Sequence, residues 1–186
     1  MWARFFRKLV GVSVGLLAFV YVAVVMIDPY DTLPFSPDFE RTAVSTNQRF
    51  SYPALAIDAD FDSAVFGTST ARLLRPIDLN KALGGRFVNL SMNSATAYEQ
   101  GQIFKLFATA HPQPKMIVIG VDVSWCEAGT APAKFTFRPF PPWLYDGNPW
   151  NDALYLMNFS AIEQAGRQLA TMAGLRAEKY GHDGYA

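Results

Sequence analysis

The stretch of sequence that decides the fold is KMIVIGV, residues 115–121. It is almost continuously apolar, which is typical of a β-strand covered on both faces by other elements. Two shorter apolar strands are predicted before it, at 63–66 and 87–90, each ending near glycine or small polar residues. Helices are predicted between the strands, over 76–83 and from the Thr96–Glu99 capping box to just before Pro112. This alternation predicts a three-layer α/β domain with a parallel sheet.

The N-terminus contains a predicted membrane anchor. Residues 9–27 form an apolar run of 19 residues, and a helix of that length spans most of the ~30 Å hydrocarbon core. The run is longer than the roughly 7–15 apolar residues of a cleaved signal peptide, and no small-x-small cleavage site follows it. An anchor is therefore favoured over a cleaved signal.

The charges around the anchor predict its orientation. Three cations lie in residues 1–8, whereas Asp28 and Asp31 follow the apolar run. By the positive-inside rule, residues 1–8 are expected to be cytoplasmic and the chain from residue 28 extracytoplasmic. In a Gram-negative cell that compartment is the periplasm.

Composition excludes several classes of function. Without the three cations of residues 1–8, the chain has 13 Lys and Arg against 16 Asp and Glu, a net charge of −3. Nucleic acid is therefore not an expected partner, since a basic footprint is missing. A single cysteine, Cys126, cannot form an internal disulfide. The two histidines, His111 and His182, have no cysteine pair nearby, so neither a metal nor another cofactor is expected.

After the anchor we expect a linker, one domain and a tail. Residues 28–57 contain four prolines without sustained periodicity, which predicts an extended linker. The domain is predicted over 58–175. Within it, residues 132–150 alternate aromatic residues with proline, and they are interpreted as a loop packed on the domain or as a lid or membrane-facing flap. Residues 176–186 form a polar tail.

A last helical stretch is predicted from about Asn151 to Ala173, bent near Phe159 and closed by Gly174. Its larger apolar side chains are expected to face the core. They are Leu154, Met157, Ile162, Leu169 and Met172.

Ser69 is the leading candidate for a catalytic side chain. It follows the first predicted strand, and parallel strands bring their carboxyl ends, here 67–70, 91–96 and 122–125, to one edge of the sheet. A serine at such a turn presents its Oγ at that edge, where backbone N–H groups can hold an oxyanion. The alternative is a turn serine that only caps the next helix.

The three segments resemble the first three sequence blocks of the SGNH hydrolase superfamily. The matching stretches are Gly67-Thr68-Ser69, residues 89–94 (NLSMNS) and Gly120-Val121-Asp122. The region from the anchor to about Leu175 is similar to membrane-anchored SGNH-like envelope proteins, such as those of teichoic acid D-alanyl transfer and alginate O-acetylation. Asp28-Pro29-Tyr30, Glu99 and residues 140–146 (FPPWLYD) match them as well.

The resemblance implies a flavodoxin-like SGNH fold and a function. The protein would transfer acyl groups to, or remove them from, a cell-envelope glycan or polymer, as a serine esterase or O-acyltransferase. A membrane-embedded acyltransferase would be a partner.

The resemblance also implies roles for individual residues. Ser69 matches the nucleophile, and Ser94 stands where the family has a glycine whose N–H helps form the oxyanion hole. Asn93 beside it would line the site. Asp122 replaces an asparagine that donates a hydrogen bond. An ionised carboxylate cannot donate, so Asp122 is either protonated or structural, and we favour an orienting or structural role.

The general base of the family is missing. A serine nucleophile needs one within hydrogen-bond reach, and the family supplies it from an Asp-x-x-His block that this sequence lacks. His111 is expected at the opposite edge of the sheet, and His182 lies in the tail with no predicted element to hold it. We therefore expect a chain truncated before that block and inactive alone. The alternative is a non-catalytic assembly or scaffold component of an envelope modification or export complex.

Overall fold

The computed structural model describes residues 2–37, 39–41, 43–126, 133–177 and 181–185. These ranges contain five α-helices and three β-strands. In chain order they are α1 (Trp2–Ile27), α2 (Gln48–Ile57), β1 (Ser63–Phe66), α3 (Pro76–Leu83), β2 (Phe87–Asn89), α4 (Ala97–Ala110), β3 (Met116–Ile119) and α5 (Phe159–Met172). Four 3₁₀ turns supplement them, at Ala71–Leu73, Val123–Cys126, Pro142–Tyr145 and Asp152–Tyr155.

The three strands form one parallel sheet in the order β2-β1-β3. In this register Ser63 of β1 lies opposite Phe87 of β2 and Met116 of β3. The predicted parallel sheet is confirmed, and the carboxyl ends of all three strands meet at one edge. The capping box at Thr96 is also present: its hydroxyl accepts from the Glu99 amide at 3.1 Å, and the Glu99 carboxylate accepts from the Thr96 amide at 3.0 Å.

The sheet is buried at its centre and open at β3. All residues of β1 and β2 are buried, whereas the residues of β3 are only half-buried and Ile119 is 54% exposed. The expectation that residues 115–121 are covered on both faces is therefore wrong. β3 is an edge strand, since it pairs only with β1 within the described part of the chain, and an edge strand has fewer neighbours to cover it than the central strand has.

The expected extended linker is replaced in its second half by helix α2. Asn47 caps this helix by accepting from the Arg49 amide at 3.3 Å, and Tyr52 and Ala56 are fully buried against the domain. Pro53 lies inside the helix, where it cannot donate to the carbonyl of Arg49. That carbonyl instead accepts a hydrogen bond from the Tyr145 hydroxyl at 2.8 Å, so the proline leaves no buried acceptor unpaired.

The first half of the expected linker is a folded junction. The buried Asp28 carboxylate accepts from the Leu33 amide and the Ser36 hydroxyl, each at 2.9 Å. Arg41 donates from Nε to the carbonyl of Ile27, the last residue of α1, at 3.0 Å. The chain is therefore tied back onto the end of α1 as soon as it leaves that helix.

Helix α1 is long and apolar enough to span a membrane, with a mean hydropathy of 2.6 in its most apolar window. Residues 2–19 are exposed on all sides. Its last turns behave differently, because Val24 is only 4% exposed and packs into the core of the domain.

The C-terminal helix is shorter than expected and presents a different face. Asn158 starts α5 by accepting from the Ala161 amide at 2.9 Å, and the preceding residues form a separate 3₁₀ turn. The buried face consists of small or polar side chains, namely Ala161, Gln164, Ala165 and Gln168. The apolar residues expected in the core are exposed instead: Leu154 75%, Met157 46%, Ile162 37%, Leu169 50% and Met172 49%.

The aromatic loop and the tail both contact the domain. Phe140 stacks on Tyr145 with ring centroids 4.4 Å apart, while residues 127–132, including Pro132 of the predicted loop, lie outside the described residues. In the predicted tail, residues 178–180 and 186 also lie outside them. Asp183 accepts from the Asn89 amide at 2.8 Å and Gly184 from the Tyr52 hydroxyl at 2.9 Å, so the described end of the tail packs beside β2.

Candidate functional site

The segments that follow the three strands are joined at the carboxyl edge of the sheet. The Met92 amide donates to the Gly67 carbonyl at 3.0 Å, and the Gly120 amide donates to the Phe66 carbonyl at 2.8 Å. Gly67 has φ +153°, and a Cβ there would lie 2.6 Å from the Cβ of Ala71. Only glycine fits this turn without displacing Ala71.

The turn after β1 separates a buried threonine from an exposed serine. Thr68 is 5% exposed, whereas Ser69 and Thr70 face solvent. The Ser69 hydroxyl has no hydrogen-bond partner within the described ranges. The 3₁₀ turn at 71–73 starts at Thr70 without a side-chain cap, so Ser69 does not serve as the capping residue of that turn. Its hydroxyl is available to a ligand.

Asp122 joins the end of β3 to this turn. Its carboxylate accepts from the Thr68 hydroxyl at 2.5 Å and from the amide and hydroxyl of Ser124 at 3.0 and 2.8 Å. These hydrogen bonds, that of Thr68 first, lower the pKa of the Asp122 carboxyl below its ordinary value. The carboxylate is therefore ionised at neutral pH and cannot donate to an oxyanion.

Ser94 adopts the backbone conformation that glycine favours. Its φ is +52°, in the left-handed region, and it is exposed. The conformation fits the position at which the resemblance places a family glycine. Neighbouring Asn93 is held from two sides, because its Oδ1 accepts from Arg72 at 3.0 Å and its carbonyl accepts from Arg49 at 3.3 Å.

A buried ion pair supports the segment that carries Asn93. Arg49 donates to both oxygens of Glu99, at 2.9 and 2.6 Å, and neither side chain is exposed. Glu99 was noted in the sequence through its capping box and the resemblance. Arg49 was missed because residues 28–57 were assigned to a linker. An available signal was the acidic residue itself, since a carboxylate buried on a helix requires a cation.

Gln100 is a second supporting residue that the sequence did not indicate. It is 4% exposed. Its Oε1 accepts from the Gly67 amide at 3.1 Å and its Nε2 donates to the Leu90 carbonyl at 3.4 Å. Helix α4 thereby fixes the ends of β1 and β2 relative to each other.

An open cavity of about 440 Å³ lies between the turn after β1 and the end of β3. Its polar lining consists of Thr68, Thr70 and Asp122, and its apolar lining includes Leu74, Val121 and Val123. Ser69 is not among the lining residues. The cavity therefore offers two hydroxyl groups and one carboxylate beside the proposed nucleophile.

Neither histidine is hydrogen-bonded to Ser69 in the described part of the chain. His111 ends α4, where its ring lies 4.3 Å from that of Phe107 and its Nε2 lies 3.2 Å from the Ala56 carbonyl. His182 is 60% exposed and lies 3.4 Å from Glu40. The described ranges also contain no group of three or more side chains suited to hold a metal ion.

The sheet edge carries the exposed hydroxyls of Ser69 and Thr70, the left-handed peptide of Ser94 and the ionised carboxylate of Asp122. Its chemical interpretation depends on this geometry and on the sequence resemblance. No protein-family model, curated protein or solved structure matches this chain.

Proposed function

We propose that this protein is a membrane-anchored, extracytoplasmic SGNH-like protein that carries out acyl transfer or deacylation on a cell-envelope glycan or polymer. The observation that carries the proposal is the exposed Ser69 hydroxyl in the turn after β1, at the same sheet edge as the left-handed peptide of Ser94. It supports the proposal because a serine nucleophile needs an accessible Oγ and an oxyanion needs backbone N–H groups nearby.

In the proposed reaction, Ser69 Oγ attacks the carbonyl carbon of an acyl ester. Backbone N–H groups of the turn and of Ser94 stabilise the oxyanion that forms. The bond to the leaving alcohol then breaks and leaves an acyl-serine, which is transferred to a hydroxyl of the acceptor or to water. Atoms balance in both steps, and the serine proton passes to a base and returns to the leaving alcohol.

Asp122 is a positioning residue in this proposal. Three hydrogen bonds occupy its carboxylate, and their lowering of its pKa makes it a weak base. It holds Thr68, and through Thr68 it orients the turn that presents Ser69. In this proposal the base for Ser69 comes from outside the described residues, for example from a partner membrane protein.

A non-catalytic role is the second candidate. It is favoured by one observation: within the described ranges, no histidine or free carboxylate is hydrogen-bonded to Ser69. The protein would then be an assembly or scaffold component of an envelope modification or export complex, with the turn retained as structure.

Acylation of Ser69 tests between the two candidates. The detergent-solubilised full chain is incubated with p-nitrophenyl acetate, and acetylated residues are identified by mass spectrometry. We expect slow acetylation of Ser69 that Ser69→Ala abolishes and Thr109→Ala, the control at an exposed hydroxyl near the far end of α4, leaves unchanged. Because general-base assistance contributes about 10²–10⁴-fold, turnover of this chain alone should be low.

Two results would contradict this proposal. Absence of acetylation at Ser69 would exclude Ser69 as a nucleophile and favour the non-catalytic scaffold role. Rapid turnover lost in Asp122→Asn would make Asp122 the base instead of a positioning residue.

A further inference from the structure

The chain between α1 and the domain is held by hydrogen bonds and is not a free linker. Asp28 is 1% exposed and its carboxylate binds the chain up to Ser36, while Arg41 holds the carbonyl of Ile27. A domain joined in this way is not separated from α1 by an extended linker. Its position relative to α1 is set by the contacts between them.

Those contacts reach well back along α1. The Tyr21 hydroxyl donates to the Ala153 carbonyl at 3.1 Å. Tyr21 lies six residues before Ile27, which at about 1.5 Å per residue is about 9 Å along the helix. If residues 9–27 cross the hydrocarbon core, Ala153 lies at the depth of the outer leaflet and not above it.

The chain around Ala153 is suited to that depth. Residues 153–162 contain no charged side chain. Their exposed apolar residues form what we name the juxtamembrane surface, namely Leu154 (75% exposed), Met157 (46%), Phe159 (93%) and Ile162 (37%). Exposure of such large apolar side chains in one short segment is typical of an interaction surface.

Asn158 is the amide side chain within this surface, and its polar groups are paired. Asn158 accepts from the Ala161 amide at 2.9 Å and donates to the Tyr155 carbonyl at 2.6 Å. The next charges along α5, Glu163 and Arg167, form an ion pair with each other. Measured from Phe159, they lie about 40° and 80° around the helix, so they flank the exposed apolar side chains of α5, as at the polar boundary of an amphipathic helix at a membrane interface.

We propose that the folded domain is embedded in the outer leaflet of the bilayer through the juxtamembrane surface, with lipid acyl chains as its ligand. The inference rests on the membrane anchor of the proposed function. The position of the juxtamembrane surface beside α1 indicates that lipid covers it. The surface begins next to Ala153, whose carbonyl binds the Tyr21 hydroxyl of α1. The same lipid that surrounds α1 therefore contacts the surface. Leu154 and Phe159 are then expected to have the same surroundings as the exposed side chains of α1.

Site-directed spin labelling of the full chain in nanodiscs of phosphatidylcholine and phosphatidylglycerol tests this inference. Cys126, which is exposed and unpaired, is first replaced in Cys126→Ser. Single labels are then placed through Leu154→Cys and Phe159→Cys, through Asp78→Cys on α3, which is 57% exposed, as the water-facing control, and through Leu16→Cys as the reference within the anchor. Accessibility to oxygen, which concentrates in lipid, is compared with accessibility to a water-soluble nickel chelate.

We expect the oxygen-to-nickel ratio at positions 154 and 159 to exceed that at position 78 several-fold and to lie below that at position 16, which is deeper in the bilayer. If labels at 154 and 159 are open to nickel while position 16 is lipid-buried, the domain stands off the membrane and the inference fails, but the anchor survives. If position 16 is also open to nickel, the anchor fails and the inference with it. Protection at 154 and 159 from both reagents would mean that a protein surface covers them, which also overturns it.

Discussion

At the residue scale, Ser94 combines an unfavourable backbone conformation with a proposed catalytic amide. A non-glycine residue at φ +52° pays roughly 1–2 kcal/mol of steric strain that glycine does not. We expect Ser94→Gly to relieve that strain, offset in part by the greater freedom of glycine in the unfolded chain. The net gain in stability should be at most about 1 kcal/mol, measured by urea unfolding.

Chemistry provides a second measurement for the same position. Because the proposed role of Ser94 uses its N–H, Ser94→Gly should keep Ser69 acetylation, whereas Ser94→Val, with a β-branched side chain, should lose stability and slow acetylation together. Loss of acetylation in Ser94→Gly would show that the serine side chain, and not its amide, acts in the site.

Asp152 is predicted to make stability depend on pH. It is 3% exposed, and burial raises the pKa of its carboxyl from 3.8 to about 6. Because the folded-state pKa is the higher one, the carboxyl favours folding below about pH 4 and that contribution is lost as the pH rises through 6. Asp152→Asn should therefore be more stable than the wild type at pH 8, by about 1–3 kcal/mol, and close to it at pH 4.

Asp62→Asn is the control of opposite sign. The Arg86 amide, which donates to this carboxylate at 2.8 Å, lowers the pKa of Asp62. The ionised Asp62 carboxylate stabilises the folded state above its ordinary pKa, and this stabilisation is lost as the pH falls through the lowered pKa. Asp62→Asn should therefore be less stable than the wild type at neutral pH. If Asp152→Asn and Asp62→Asn changed stability equally at every pH, the opposite pKa shifts of the two carboxyls would be refuted.

At the scale of elements, the Arg49–Glu99 pair joins α2 to α4 without contact with water. Removing one partner of such a pair leaves an unpaired buried charge, which typically costs about 3–5 kcal/mol. We expect Arg49→Met to lower the free energy of unfolding by that amount and Arg49→Met/Glu99→Gln to recover a large part of it. The exposed Arg75–Asp78 pair is the control, since Arg75→Met should cost less than about 1 kcal/mol. A loss at Arg49 no greater than that at Arg75 would contradict the buried pair.

The elements also show how far local sequence patterns reach. Helix α3 runs from Pro76 to Leu83 and ends at Gly84 with φ +66°, as predicted, because proline at the first turn and glycine after the last are local signals. Helix α2 was missed because the hydroxyl that compensates for Pro53 comes from Tyr145, a residue 96 positions away from the carbonyl it binds. No local pattern reveals that contact.

The sequence could predict where the candidate site lies, but not the side-chain contacts that hold it. Ser69 and Asp122 were placed at one sheet edge by the rule that parallel strands end together. The hydrogen bond from Thr68 to Asp122 and the contact of Gln100 with Gly67 depend on side-chain geometry that strand order does not determine. Likewise, the larger apolar side chains of α5 were predicted to face the core, whereas the structure packs Ala161 and Ala165 inward and exposes Ile162, Leu169 and Met172.

At the scale of the whole molecule, the last prediction concerns topology. Helix α1 is apolar enough to cross a membrane, three cations precede its apolar run and two aspartates follow it. A reporter fused after the tail should therefore be active only if it functions outside the cytoplasm. The protein should remain in the membrane fraction after a carbonate wash, because an inserted helix is not released by loss of electrostatic contacts.

Moving the charges gives the matched control. In this variant, glutamine replaces Arg4, Arg7 and Lys8, and lysine replaces Ile27 and Pro29, which flank Asp28. The reporter signal should then be inverted or mixed, since the charge bias sets the orientation of the helix. A product that is soluble and begins near residue 28 would instead show that the segment is cleaved as a signal peptide. In that case Val24, which packs into the core in this structure, would be removed, and the domain would have to be stable without the last turns of α1.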